Sequence, residues 1–198
     1  MNAFWGKFLL FASLVIPLVS QGQRLKKGQI APLFSGIDIQ GDTIELGKYK
    51  GKKILLAFFR YASCPVCNVR MHQLIENHDS IQAKGYQIIA VFESANNTLK
   101  EYVTETPVPF PIIGDPQLRL YKKYRVEKSF WKTVGAGFSR KTKKTMKEGR
   151  KLFARKHKRD GHITRIPADF IIDPKGIIIN AYYGKNIGDH LPLIELLK

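Results

Sequence analysis

Two cysteines, Cys64 and Cys67, stand in the order Cys-Pro-Val-Cys, and the chain has no others. A permanent bridge between them would close a loop too small to restrict the unfolded chain, so stapling is the weaker use of the pair. A dithiol that opens and closes is the stronger one. Before the pair runs KILLAFFR, Lys53 to Arg60, nearly continuous in apolar residues and bounded by Gly51 and the Ser63-Cys64-Pro65 turn. That pattern suits a strand buried on both faces. After it, Val69, Met71, Leu74 and Ile75 recur at helical spacing between Cys67 and His78. Cys64 therefore falls at a helix N-terminus, where unpaired N–H groups and the dipole favour a thiolate. Such a setting lowers a free thiol's pKa of about 8.5 to roughly 3.5–7.5. Pro65 suits the first helical position, which needs no N–H. Cys67 lies one turn further on the same side and can displace an adduct from Cys64 by closing a disulfide. Arg60, four residues ahead, adds positive charge. The expected roles are Cys64 as attacking and Cys67 as resolving thiol.

A Cys-X-X-Cys pair is also half a zinc site, but no second pair exists, and His72, His78, His157, His162 and His190 lack ligand spacing to it. One distal imidazole, His162, completing a copper site is the metal alternative, and would make the chain a copper chaperone. Glu93, ending an apolar strand, is a candidate proton shuttle, with capping near Ser94 as its plainer use. Asp169 and Asp173 flank another strand. Asp189-His190 reads either as an acid–base pair or as Asp189 capping the last helix.

The elements that hold these residues follow from the rest of the chain. Its first residues, MNAFWGKFLLFASLVIPLVSQGQ, place Lys7 before the apolar stretch Phe8–Val19 and small residues at Ser20-Gln21-Gly22. This is a secretory signal pattern. Residues 1–22 are expected to be a signal peptide, cut after Gly22 or Ser20, or a retained anchor, and the protein to be periplasmic or otherwise extracytoplasmic. Outside the cytosol a disulfide can persist. The 198 residues, 44% hydrophobic and 25% charged, suit one globular domain over 23–198 and exclude wholesale disorder. No later apolar run reaches the roughly 18 residues of a membrane span. Ser35–Gln40 and Thr43–Leu46 alternate around Gly41-Asp42 as a hairpin. QIIAVF (Gln87–Phe92), DFIID (Asp169–Asp173) and GIIINAYY (Gly176–Tyr183) read as strands, with extended chain at Phe110–Ile113. Helices are expected over Thr98–Val103, from Asp115-Pro116 to about Tyr124, and over Leu191–Leu197. The fold class is α/β, a mixed central sheet flanked by helices, with an N-terminal β-hairpin.

Residues 128–164 interrupt this order. The formal charge is +17, and between Arg119 and Arg165 alone 18 Lys/Arg face 3 Asp/Glu. The segment is read as a basic helical insertion before the last two strands. Apolar residues are sparse (Phe130, Trp131, Val134, Phe138, Met146, Leu152 and Phe153), and the spacings 130/134/138 and 146/149–150/153 fit one side of one or two helices, with basic residues elsewhere. Such an insertion is either a solvated excursion over one edge of the domain or a dock for an anionic surface. Membrane lipid suits its aromatic and basic residues, while no nucleic-acid recognition motif accompanies the charge.

Several stretches together resemble the peroxiredoxin-like branch of the AhpC/TSA (redoxin) family, with a thioredoxin-like fold. They are Ala31-Pro32-Leu33-Phe34, Gly41-Asp42-Thr43 with Leu46, FFRYASCPVCNVRMHQL from Phe58 to Leu74, and IPADFIIDPKGIIINAYYGKNIGDHLP from Ile166 to Pro192. The resemblance implies thiol-dependent peroxide reduction. Cys64 would be oxidised to a sulfenic acid and Cys67 would condense with it. An external dithiol, such as a thioredoxin-like protein, would then reset the pair, and no metal, flavin or haem is required. Pro167 matches a proline that is cis beside the dithiol in thioredoxin-like folds. Two positions depart from the family pattern. Tyr61 stands where a Thr or Ser precedes the reactive cysteine by three residues, and Ala57 where a Pro lies four residues earlier still. Arg60 and Arg165 are the groups left to steady developing oxygen charge. The alternative within the same fold is an exported thiol–disulfide oxidoreductase acting on proteins, although Ser63 stands where exported thioredoxins commonly carry Trp. All of these readings expect Cys64 to be reachable from solvent.

Overall fold

The computed structural model describes residues 23–103, 107–152 and 159–198. The expected signal segment 1–22 and residues 153–158 of the insertion lie outside them. In chain order the elements are β1 (Ser35–Ile37), β2 (Thr43–Glu45), a 3-10 turn (Leu46–Tyr49), β3 (Lys53–Phe58), α1 (Pro65–Glu76), α2 (His78–Ala83), β4 (Tyr86–Phe92) and α3 (Asn96–Val103). They continue with β5 (Ile112–Gly114), α4 (Arg119–Lys123), α5 (Phe130–Phe138), α6 (Arg140–Leu152), β6 (Ala168–Ile172), β7 (Ile178–Tyr183) and α7 (Ile194–Leu197).

The apolar runs must shed water from both faces, and they do so by pairing. The main sheet has the order β5-β4-β3-β6-β7. At its centre β3 runs parallel to β4 and antiparallel to β6, with Phe58 opposite Val91 on one side and Ala168 on the other. The expected mixed sheet is present, and β1–β2 form the expected hairpin as a separate antiparallel pair.

Alternation along β3 divides the core. Ile54, Leu56 and Phe58 face a cluster with Tyr121, Tyr124 and Phe170. There Phe58 meets Tyr121 and Phe170 edge-on, with centroids at 5.2 and 5.9 Å, a geometry aromatic quadrupoles favour. Leu55, Ala57 and Phe59 face the other half, which contains Cys64, Cys67, Met71 and Leu74. The Tyr121 hydroxyl lies 2.7 Å from the Phe59 carbonyl and 3.1 Å from that of Val91. It thus ties α4 to the sheet where β3 gives way to the cysteine loop.

Two helices differ from expectation, and the orientation of the insertion, left open by its sequence, is settled. Helix α2 was not legible, because HDSIQA carries one strongly buried apolar residue, Ile81. The last helix begins at Ile194, not Leu191, and Asp189 does not cap it. Its carboxylate accepts instead from the Lys185 N–H (2.7 Å) and the Tyr182 hydroxyl (3.0 Å). In the 128–164 segment the 130/134/138 stripe points outward: Phe130, Val134 and Phe138 are exposed, while Ala136 is buried. The inward face of the pair belongs to α6, through Thr142, Met146 and Gly149.

Candidate active site

The chain leaves β3, turns through residues 59–63 and enters α1. Cys64 is the N-cap, extended at φ −76° and ψ 112°, and Pro65 takes the first helical position. The thiols, one helical turn apart, face each other, and Cys67 Sγ donates to Cys64 Sγ at 2.7 Å. Arg60 Nη1 donates to Cys64 Sγ at 3.3 Å. These contacts make the two sulfurs unequal. Burial pushes Cys64 up, but the Cys67 hydrogen bond and the Arg60 charge outweigh it and bring its pKa down to about 7. Burial pushes Cys67 up too, and donating to Cys64 raises it further, well above the ordinary thiol range. One sulfur is thus poised to ionise and the other to keep its proton. Both cysteines are free.

Neither thiol is reachable in this structure. Cys64 is 0% exposed and Cys67 1%, against the expectation of a solvent-accessible nucleophile. The cover is α6. Gly149 lies so close to the Pro65 carbonyl that there is no space for a Cβ. Met146 and Ala136 pack on the half-core that holds the thiols. The 128–164 segment therefore lies over the dithiol itself. Which edge it lies over was not legible, since a Gly within a basic run carries no apolar signal.

The end of the segment is fastened to the cysteine loop by three ties. Arg60 Nη2 donates to the Ile163 carbonyl at 2.5 Å. Ser94 accepts from the Ala62 N–H at 2.7 Å and donates to Asp160 at 2.6 Å. Buried Glu93 accepts from the His162 N–H at 2.5 Å and faces His162 Nδ1 at 3.2 Å. Its other oxygen accepts from Arg165 Nε. Arg165 gives Nη1 to the Val126 carbonyl at 2.6 Å and stacks on Tyr121. Arg60 is thus brought to Cys64, and Arg165 is engaged by Glu93 and Val126 instead.

These geometries sit in a chain of recognisable ancestry. Residues 27–181 match the AhpC/TSA family. The chain belongs to that family. Among its relatives, a protein named as a peroxiredoxin in Mycobacterium tuberculosis is 24% identical over 153 residues, which cover 75% of this chain and 97% of that protein. Peroxiredoxin Bcp of Escherichia coli K12 is 28% identical over 108 residues, covering 54% and 69%. Among solved structures, a thiol:disulfide interchange protein DsbE from Chlorobium tepidum superposes with a TM-score of 0.56 at 19% identity, covering 80% and 85%. The fold is thioredoxin-like and the chain is a thiol-based oxidoreductase.

Within that family frame, two expected positions differ from the resemblance. Among the described residues no peptide bond is cis, so Ile166–Pro167 is trans. Pro167 is buried one residue before β6, and its carbonyl accepts from the Gly184 N–H at 2.9 Å. At a strand start the missing N–H interrupts no ladder, and the lower-energy trans bond serves. Tyr61, in place of the family's Thr or Ser, is buried with its ring under the Arg60 guanidinium at 5.2 Å. Burial holds its phenol above the ordinary range.

The partner of a second buried carboxylate was not legible in the sequence. Asp169, fully buried in β6, faces His190 Nδ1 at 3.0 and 3.1 Å and accepts from the Leu191 N–H at 2.6 Å. Burial raises its pKa, but His190 and Arg70 outweigh that and hold it below the usual carboxylate value. His190 thus pairs with Asp169, not with neighbouring Asp189. A lone carboxylate at the head of an apolar strand requires such a partner. The copper alternative relied on His162, whose Nδ1 faces Glu93. Among the described residues no group of three or more His, Cys, Asp or Glu side chains is placed to hold a metal ion.

Proposed function

We propose that the protein reduces peroxides, with Cys64 as the nucleophile and Cys67 as the resolving thiol. The observation that carries this reading is the unequal pair: sulfurs 2.7 Å apart, with Cys64 lowered to about 7 and Cys67 raised. The Cys64 thiolate attacks one peroxide oxygen. An S–O bond forms, the O–O bond breaks, and the leaving alkoxide takes a proton to depart as alcohol or water. Arg60, already on the sulfur, stabilises the charge that develops on oxygen. Cys67 then attacks the sulfenic sulfur, an S–S bond forms, and hydroxide leaves as water with the Cys67 proton. An external dithiol, thioredoxin-like in kind, reduces the disulfide by exchange. Peroxide is favoured over a protein disulfide because the thiols lie beneath α6, where a small molecule penetrates more readily than a polypeptide. We further infer export, from the charge and apolar order of residues 1–22.

The test is single-turnover oxidation of the reduced protein by hydrogen peroxide, an organic hydroperoxide and a model disulfide in parallel. Peroxide should oxidise Cys64 fastest, and Cys64→Ser should abolish the reaction. Cys67→Ser should consume one equivalent of peroxide, leave a sulfenic acid that dimedone traps, and stop turnover. Faster oxidation by the disulfide would overturn the peroxidase reading.

A further inference from the structure

The two helices over the dithiol carry the molecule's most unusual surface. Phe130, Trp131, Val134 and Phe138 are 62, 80, 36 and 80% exposed. At 3.6 residues per turn they occupy a stripe about 100° wide along α5. Side chains so large and apolar rarely stand in water together without a partner. Next in the chain, α6 exposes Arg140, Lys141, Lys143, Lys144, Lys147, Arg150 and Lys151 against one acid, Glu148. Among the described residues none of the seven is paired with a carboxylate. Aromatic rings beside unpaired cations match an anionic bilayer, whose headgroups take the charges and whose acyl boundary takes the rings. No nucleic-acid recognition motif accompanies the charge, which disfavours nucleic acid.

The inner faces of the same helices pack beside the thiols, through Gly149 on Pro65 and through Met146 and Ala136 in the half-core that contains both cysteines. Both ends of the excursion meet at one neck. Lys128 bridges Arg165, the Ser129 N–H donates to the Thr164 carbonyl at 2.8 Å, and the Ile166 N–H donates to the Glu127 carbonyl at 3.1 Å. A segment closed at a neck can swing once the ties of Asp160, His162 and Ile163 to Ser94, Glu93 and Arg60 are released.

We propose that the α5–α6 pair docks on an anionic phospholipid bilayer, and that docking draws it off Cys64. Docking is independent of the thiol chemistry, while its consequence rests on Cys64 being the reactive thiol. Bound in this way, the site faces hydroperoxides carried by the lipid itself.

The test uses the full chain, with Cys64→Ser/Cys67→Ser for binding and the reduced wild type for thiol access. Co-sedimentation with vesicles containing phosphatidylglycerol should exceed that with phosphatidylcholine alone by roughly tenfold or more. The excess should vanish near 1 M salt, where screening shortens to about 3 Å. Trp131→Ser/Phe138→Ser and Lys143→Glu/Lys147→Glu should each remove most of it. Equal binding to both lipids, or binding that survives these substitutions and therefore belongs to another part of the chain, overturns docking. Tighter retention by duplex DNA than by anionic vesicles at the same salt makes nucleic acid the partner and overturns it as well. Alkylation of Cys64 should quicken when anionic vesicles are added to the reduced wild type, and an unchanged rate with vesicles bound overturns the uncovering. Because the binding arm lacks both thiols, failure of the peroxidase reading cannot be mistaken for failure of docking.

Discussion

Arg60 shows how one side chain sets the character of the site. Buried cations are costly unless paired, and Arg60 answers that cost with the Cys64 sulfur at 3.3 Å and the Ile163 carbonyl at 2.5 Å. Its own pKa is raised despite burial, because the two thiols favour its charged form. The thiolate is the nucleophile, so the initial oxidation rate should rise with pH through about 7 and level off above it. Arg60→Met removes the compensating charge while burial remains. The midpoint should then move to higher pH, and below it the reaction should slow roughly tenfold for each unit of displacement. Thiolate ultraviolet absorbance and the pH–rate profile measure this together, and a profile identical to wild type would remove Arg60 from the assignment. The closeness of Cys64, Cys67 and Arg60 was legible because their relation is local, Arg60 four residues before Cys64 and Cys67 three after it. The partner of Arg165 was not legible, because Glu93 is 72 residues away and no spacing in the sequence announces so distant a pairing.

Among the elements, strands were read most faithfully. KILLAFFR, QIIAVF and DFIID became β3, β4 and β6 within a residue or two, because a strand buried on both faces leaves an uninterrupted apolar run. The insertion helices were read as helices, but which side of each faces the protein was left open. Phe130, Val134 and Phe138 have the spacing of a buried stripe, and periodicity cannot show which side faces the protein. The contact that decides orientation is Gly149 against Pro65, an absence of side chain. Gly149→Ala separates the two influences. Within a helix Ala is favoured over Gly by about 1 kcal/mol, while overpacking against a backbone carbonyl that cannot yield costs about 1–3 kcal/mol. Packing should win where the helices touch and propensity within α6 itself. Helical circular dichroism should hold or rise, while alkylation of Cys64 quickens by roughly five- to a hundredfold. Lost helicity with a slow thiol would mean that α6 is not what shields the site.

Across the whole molecule, a chemically poised sulfur lies with no solvent-exposed surface. The sheet, α1 and the aromatic half-core form the rigid part, and the excursion from Lys128 to Arg165 is joined to it by a neck and three polar ties. Reaction at Cys64 then has two routes, penetration by a reagent small enough to slip past α6, and opening of the excursion for anything larger. The routes predict an order of rates that intrinsic reactivity alone does not. Normalised to a small free thiol at the same pH, Cys64 should react with hydrogen peroxide faster than with a bulky hydroperoxide, and slowest with a disulfide-bearing peptide. Denaturant well below the unfolding transition should narrow these gaps, since opening exposes surface and its free energy falls linearly with denaturant. Large reagents should gain rate while hydrogen peroxide hardly changes. Stopped-flow traces for the three oxidants across a denaturant series give the answer directly. If all three accelerate in parallel, the molecule opens for every substrate alike and size selection at the dithiol is lost. If none accelerates before global unfolding, the excursion is a fixed part of the core, and the neck at Lys128–Arg165 is not a hinge.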